Sequence, residues 1–204
     1  MSRRQNKKYS LSRRTGSPLW GTPKDPSNKK NFPPGQHGPS AFSKRKTEYG
    51  IQLLAKQKIR MYYGDLREKQ FRSIFKKAER YKGDTNGNLV ALLESRLDSF
   101  VYRSKFSSTI FSARQIVSHK HIKVNNSIVN IPSYTLKPGD IIELSDRAKN
   151  MKIVLDSMSI KDRTVPDYIG VSSYTATYIR LPKLSEIPYP SVIEPHHVVE
   201  FYSR

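Results

Sequence analysis

The sequence predicts an α+β fold in two parts: a helical N-terminal domain with an extended basic arm, and a module of two helices and a small antiparallel sheet. Three observations predict it. Apolar residues recur at helical spacing from Glu48 to Ser118 and at strand spacing after it. Pro18, Pro23, Pro26, Pro33, Pro34 and Pro39, with several glycines, interrupt any regular element in residues 1–47. The charge is lopsided: residues 1–60 hold fifteen Lys and Arg against only Asp25 and Glu48.

With 37 Lys and Arg against 17 Asp and Glu in 204 residues, the net charge is +20. So large a basic excess points to a polyanionic partner, and nucleic acid is the commonest. A membrane surface is the rival, but no apolar run approaches the roughly 20 residues that a spanning helix needs. "MSRRQNKKYS" is basic without an apolar segment behind it, so no secretory leader is expected. The absence of cysteine excludes disulfides and cysteine-based zinc ribbons and suits a reducing compartment.

The elements follow in order. The arm is expected as irregular, extended backbone that orders on nucleic acid, with Trp20 and Phe32 as apolar anchors against the next helices. A helix starts at Glu48, with Ile51, Leu54, Ile59 and Tyr62 in register, and Gly64 ends it. A second spans about 68–81, with Phe71, Ile74, Phe75 and Ala78 on one face and Lys69, Arg72, Lys76 and Lys77 largely off it. A third covers about 88–102 and buries Leu89, Leu93, Leu97 and Val101; Asp98 then falls mid-helix. A fourth follows the N-cap stretch "SST" and runs over about 109–118. Ile122 and Val124 begin a strand, "NNS" suits a tight hairpin, and "IIEL", "MKIVL" and "ATYIRL" are further strand candidates. The apolar ending "VVEFY" is expected to dock rather than dangle. The expected division is residues 1–93 joined by 186–204, and residues 94–185.

Candidate contacts with nucleic acid cluster where the fourth helix meets the first strand: Arg114, Gln115, His119, Lys120, His121, Lys123 and Asn125. Cationic and amide side chains on a rigid junction can bind phosphates and 2′-hydroxyls together. Arg96 joins them from the third helix. In the first part, Arg13, Arg14, Gln36, His37, Lys44, Arg45, Lys46, Tyr49, Lys56, Lys58, Arg60, Lys69, Gln70, Arg72 and Lys76 are candidates, on the density of cations and the scarcity of acids around them.

Other chemistries fit less well. His119 and His121 resemble half a metal site, but His37, His196 and His197 are distant in sequence, so no metal is expected. "PPGQHG" lacks the Lys-Ser/Thr of a phosphate-binding loop and is expected as a stiff turn presenting Gln36 and His37. "SRLD" at 95–98 matches an Arg-Leu-Asp signature of pseudouridine synthases, yet Asp98 sits in a helical apolar pattern. It is expected to be solvent-facing or arginine-paired. No catalytic constellation is present, and no cofactor is expected.

The sequence resembles the small-subunit ribosomal protein S-four family, of bacterial or organellar type, in the look of its alphaproteobacterial branch. The resemblance is carried by "LLESRLDSFVYRSKFSSTIFSARQIVSHKHIKVNN", "PPGQHG", "YGIQLLAKQKIRMYYG", "EKQF", "IPSYTLKPGD" and "VEFYSR", over nearly the whole chain. It implies a structural constituent of the small subunit, in the bacterial cytoplasm or mitochondrial matrix. Such a protein binds small-subunit rRNA at a junction in the 5′ domain and nucleates assembly. It also implies neighbouring ribosomal proteins as partners, and a loop at 43–46 near the path by which mRNA enters, with a part in translation accuracy. The alternative readings, using the same module, are an RNA-modification or assembly factor and an autoregulatory repressor binding its own mRNA. Two departures from the family matter: the arm lacks zinc-binding cysteines, and Lys120 stands where the family has glycine between the histidines. If that position needs positive φ, Lys120 costs roughly 1 kcal/mol of strain.

Overall fold

A computed structural model describes residues 7–30, 32–41, 47–160 and 163–203. The chain divides into two compact units, Met1–Ser73 with Tyr189–Arg204, and Ile74–Pro188. The fold is α+β.

The first unit contains α1 (Ser10–Thr15), a 3-10 turn (Pro26–Asn28), α2 (Gly38–Ala41), α3 (Glu48–Tyr62), the start of α4 (Glu68–Arg80) and α10 (Pro195–Tyr202). The arm is thus not uniformly extended. Leu11, Leu19 and Trp20 are buried, and the Trp20 indole donates to the Tyr62 carbonyl at 3.3 Å. Arg13 donates to the carbonyls of Phe32 and Pro33 and lies over the Phe32 ring. These contacts fasten an arm that has no cysteine. In "PPGQHG", a Cβ at Gly38 would lie 2.0 Å from the Pro33 carbonyl oxygen, so only glycine lets the turn close.

Thr47 caps α3 by accepting from the Gly50 N–H. The buried face of α3 is Gln52, Ala55, Lys56, Ile59, Met61 and Tyr62. Ile51, expected inside, is 39% exposed, because the stripe is rotated toward α10, which packs on α3. The C-terminal segment docks as expected.

The second unit holds α5 (Thr85–Glu94), α6 (Leu97–Arg103), α7 (Ile110–Ser118), β1 (Ile122–Val124), β2 (Ser127–Ile128), β3 (Ile141–Leu144), α8 (Asp146–Lys149), α9 (Lys152–Met158), β4 (Ile169–Ser172) and β5 (Thr175–Tyr178). The strands form one antiparallel sheet in the order β2-β1-β3-β5-β4. Its core joins Leu97, Phe100 and Val101 of α6 and Ala113, Ile116 and Val117 of α7 to Ile122, Ile142, Ala176 and Tyr178 of the sheet.

Three expectations change. The helix expected over 88–102 is two helices, broken where Arg96 takes an extended backbone (ψ 140°) and bridges Thr135. The Leu97 and Asp98 N–H groups donate to Tyr134 and Pro132, bonds that a continuous helix would forbid. Asp98 therefore opens α6 rather than sitting mid-helix. "MKIVL" contributes to helix α9 instead of a strand: Ala148, Val154 and Ser157 are buried while Ile153 and Leu155 are exposed, a spacing of three and not two. The apolar run alone fits either reading. Finally, β4 is not among the strand candidates: it pairs with β5 through a turn at Ser173 (φ 50°), which lacks the Asn-Gly signal that would announce it.

Candidate nucleic-acid interface

The junction of α7 and β1 is built by backbone chemistry. At the end of α7, the Lys120 N–H donates to Val117 and the His121 N–H to Ile116. These are the two bonds of a Schellman ending, whose left-handed position is usually glycine. Lys120 occupies it with φ 64°. The ending turns the chain into β1 and sets His119 and His121 with ring centroids 6.3 Å apart. Gln115, His119 and Lys120 are exposed, and His121 and Lys123 half-buried.

Beyond β1, Asn125 (φ 48°) and Asn126 (φ 66°) form the two-residue hairpin loop, both with the positive φ of a type I′ turn. The Asn125 side chain is committed: its amide donates to Asp140 and its oxygen accepts from the Ile141 N–H, both at 2.9 Å. It pins the hairpin to the "KPGD" turn.

Under the junction lies a buried ionic centre. Asp98 has no exposure and accepts from Arg96 (3.0 and 2.8 Å), from Arg114 (3.2 and 3.0 Å) and from the Ser99 N–H (3.0 Å). One carboxylate holds two guanidiniums. It ties α6 to α7 and presents Arg114, 29% exposed, beside the junction. Arg96, a candidate contact, is itself buried at 6% and braces the centre from below. The arginine-paired expectation for Asp98 holds; the solvent-facing alternative does not. A second buried acid, Glu94, is clasped by Arg103 and accepts from the Tyr168 hydroxyl. Nearby, burial foremost pushes the Tyr178 hydroxyl up to about 12, against the Ser95 hydrogen bond and with the Glu94 charge.

In the first unit, the α3 cations are tied down. Lys56 is buried and pairs with Glu68 at 3.1 Å, beneath the Phe201 ring at 4.0 Å. Arg60 pairs with Glu68 at 2.8 Å and donates to the Leu66 carbonyl. Lys58 donates to the Val192 carbonyl at 2.6 Å; burial lowers its pKa and Glu194 partly restores it. Burial raises the Glu68 carboxyl, but bonds from Tyr202 and Lys56 and the charges of Lys56 and Arg60 outweigh that and hold it below its ordinary range. Lys56 thus braces α3 against α4 and α10 rather than presenting a charge.

Arg14, Gln36 and His37 are exposed, and Tyr49 is exposed with its ring 5.6 Å from Phe201. Gln70 accepts from the Arg67 N–H. Along α4, Lys69, Arg72 and Lys76 are exposed opposite Phe71, Phe75 and Ala78, and among the described residues no ion pair engages them. Arg80 extends the stripe one turn further; its position four beyond Lys76 was the signal available in the sequence. Lys44, Arg45 and Lys46 lie outside the described residues. No described helix is long and apolar enough to cross a membrane.

Comparison with known proteins agrees with this architecture. Residues 3–94 match the family described as "Ribosomal protein S4/S9 N-terminal domain", and residues 95–142 match "S4 domain". The chain is 54% identical over 206 residues to the "Small ribosomal subunit protein uS4" of Rhizobium meliloti (strain 1021), covering all of both chains. The proteins of the same name from Sinorhizobium medicae and Roseobacter denitrificans are 53% and 52% identical, again over the full length of both.

Proposed function

This chain belongs to the uS4 family of small-subunit ribosomal proteins, and from that premise we propose that it is a structural constituent of the small ribosomal subunit, binding the rRNA directly at a junction in its 5′ domain and nucleating assembly there. The family is one of ribosomal structural proteins, not enzymes. Residues 94–185 act as the RNA-binding module and residues 1–93 with 186–204 as a second rRNA-binding domain. Neighbouring small-subunit proteins complete the setting. The protein lies near the path by which mRNA enters and contributes to translation accuracy.

The observation that carries this reading is the Arg114–Gln115–His119–Lys120–Lys123 group on a junction locked by the Asp98 centre and the Schellman ending. Such a rigid cationic edge suits phosphates and 2′-hydroxyls without large ordering cost. Exposed Lys69, Arg72 and Lys76 on α4 support phosphate binding by the first domain.

A hydroxyl-radical footprint on the 5′ domain of the cognate rRNA, at about physiological salt with excess tRNA, tests the proposal. Protection focused on one helical junction is expected. Diffuse protection abolished by competitor refutes it. Arg114→Ala and Lys123→Ala should each weaken that protection while circular dichroism stays unchanged, because Asp98 keeps Arg96 as a partner.

A further inference from the structure

The start of α10 gathers metal-ligating side chains that the rRNA-binding reading does not use. Single ligand atoms of Glu194, His196 and His197 all lie within 4.8 Å of one another. The two imidazole centroids are 4.1 Å apart. His197 Nδ1 lies 3.1 Å from a Glu200 carboxylate oxygen, which also accepts from Gln52 of α3 at 3.1 Å.

That contact fixes the chemistry of the ring. A carboxylate only accepts, so Nδ1 carries the proton, and in the neutral imidazole Nε2 is left with its lone pair. Nε2 faces Glu194, but at 3.9 Å, too far for a hydrogen bond. Two ligands sharing a tetrahedral ion at roughly 2.05 Å each lie about 3.3 Å apart, so the exposed Glu194 and His196 side chains close in from a spread of at most 4.8 Å to bind. The order carboxylate–imidazole–metal, with the outer carboxylate itself anchored, is the arrangement in which a protein holds a histidine ligand to a metal. The helix N-terminus opposes a cation here, and the carboxylates of Glu194 and Glu200 supply the countercharge.

We propose that Glu194, His196 and His197, backed by Glu200, bind one divalent transition-metal ion of the zinc class. Two imidazoles and a carboxylate exclude magnesium and calcium as preferred occupants, since those ions favour all-oxygen sites. A fourth position is open to water. Bound metal joins residues on both sides of Pro195 and, through Glu200 and Gln52, stiffens the docking of α10 on α3.

The test is titration of the full-length, untagged protein with zinc chloride by calorimetry and with cobalt(II) by visible absorption. One equivalent with tetrahedral or five-coordinate cobalt bands is expected. Binding should be lost in His197→Ala and weakened about tenfold or more in Glu200→Gln. The His119→Ala/His121→Ala double variant should bind like the parent. Absence of a saturable one-equivalent site in the parent overturns the proposal. So does undiminished binding by His197→Ala, or loss of binding in the double variant alone. If His197→Ala fails to fold, the exposed His196→Asn decides: unchanged affinity rejects the site. Neither result bears on rRNA protection at the α7–β1 junction, so this proposal and the rRNA-binding reading fail separately.

Discussion

Lys120 is where stability and charge conflict, and the conflict is measurable. Its φ of 64° places a side chain in the left-handed position of a Schellman ending. An L-residue pays about 1–2 kcal/mol for that conformation, and glycine does not. Glycine in turn loses about 0.5–1 kcal/mol through the greater freedom of its unfolded chain. Lys120→Gly should therefore stabilise the protein by about 0.5–1 kcal/mol. Lys120→Ala, which keeps the strain, should not. For a chain of this size that difference raises the melting temperature by roughly 1–4 °C. The two variants lose the same positive charge. Their affinity for the rRNA 5′ domain should fall alike, with the slope of log K against log salt reduced by about 0.7–0.9 if Lys120 meets one phosphate. Thermal melts of parent, Lys120→Gly and Lys120→Ala, with salt-dependent filter binding of all three, separate the terms. Equal melting temperatures for the glycine and alanine variants would refute the strain argument. Unchanged affinity in both would refute the charge argument and leave the lysine unexplained.

Two further outcomes follow from the ionic centres. Asp98→Asn keeps the shape but strips the charge that two guanidiniums share, and should cost about 3–5 kcal/mol, read as a lower urea midpoint; a loss under about 1 kcal/mol would mean the centre is not built as described. At Glu68 the folded carboxyl sits below its ordinary 4.5, so the stability it contributes is complete above that pH and disappears as pH falls through the depressed value. The gap in stability between the parent and Glu68→Gln should be constant from pH 6 to 8 and close below about 4.5, and a gap that widens on acidification would show the sign to be wrong.

Local signals were legible wherever backbone and pattern agree. The cap at Thr109, the hairpin at Asn125–Asn126 and the docking of "VVEFY" all follow from residue type and spacing. The break at Arg96 was hidden because Leu89, Leu93, Leu97 and Val101 keep a helical rhythm across it. What ends α5 is a set of backbone bonds to residues 132–136, some forty positions away, and no local pattern records those. The site shows the same split. A count of cations marks Lys56 and Arg96 as contacts, but their burial depends on which acids come near, Glu68 twelve residues on and Asp98 two residues on. Asn125 reads as an RNA-facing amide until Asp140 arrives from another turn. Side-chain type announced the chemistry of the junction, while long-range contacts decided which members of the set reach the surface.

The distribution of acids explains how so basic a chain folds and still meets its partner charged. Glu68, Glu94 and Asp98 are each engaged by one or two cations, Glu94 and Asp98 within the protein interior. Those pairs brace helices against each other, and the buried ones at Glu94 and Asp98 are screened little by salt. Outside those pairs, Lys69, Arg72, Lys76 and Lys120 are exposed, and among the described residues no ion pair engages them. The free protein therefore carries a self-repulsion that salt relieves, whereas salt weakens capture of phosphates by restoring counterion competition. Stability and rRNA affinity should respond to salt with opposite signs: between about 0.05 and 0.2 M, the melting temperature of the free protein rises while its affinity for the 5′ domain falls steeply, by ~10³-fold if six phosphates are engaged. Parallel decline of both would show that surface ion pairs, rather than the buried centres, hold the fold. The division between structural and binding charges argued from Asp98 and Lys120 would then fail.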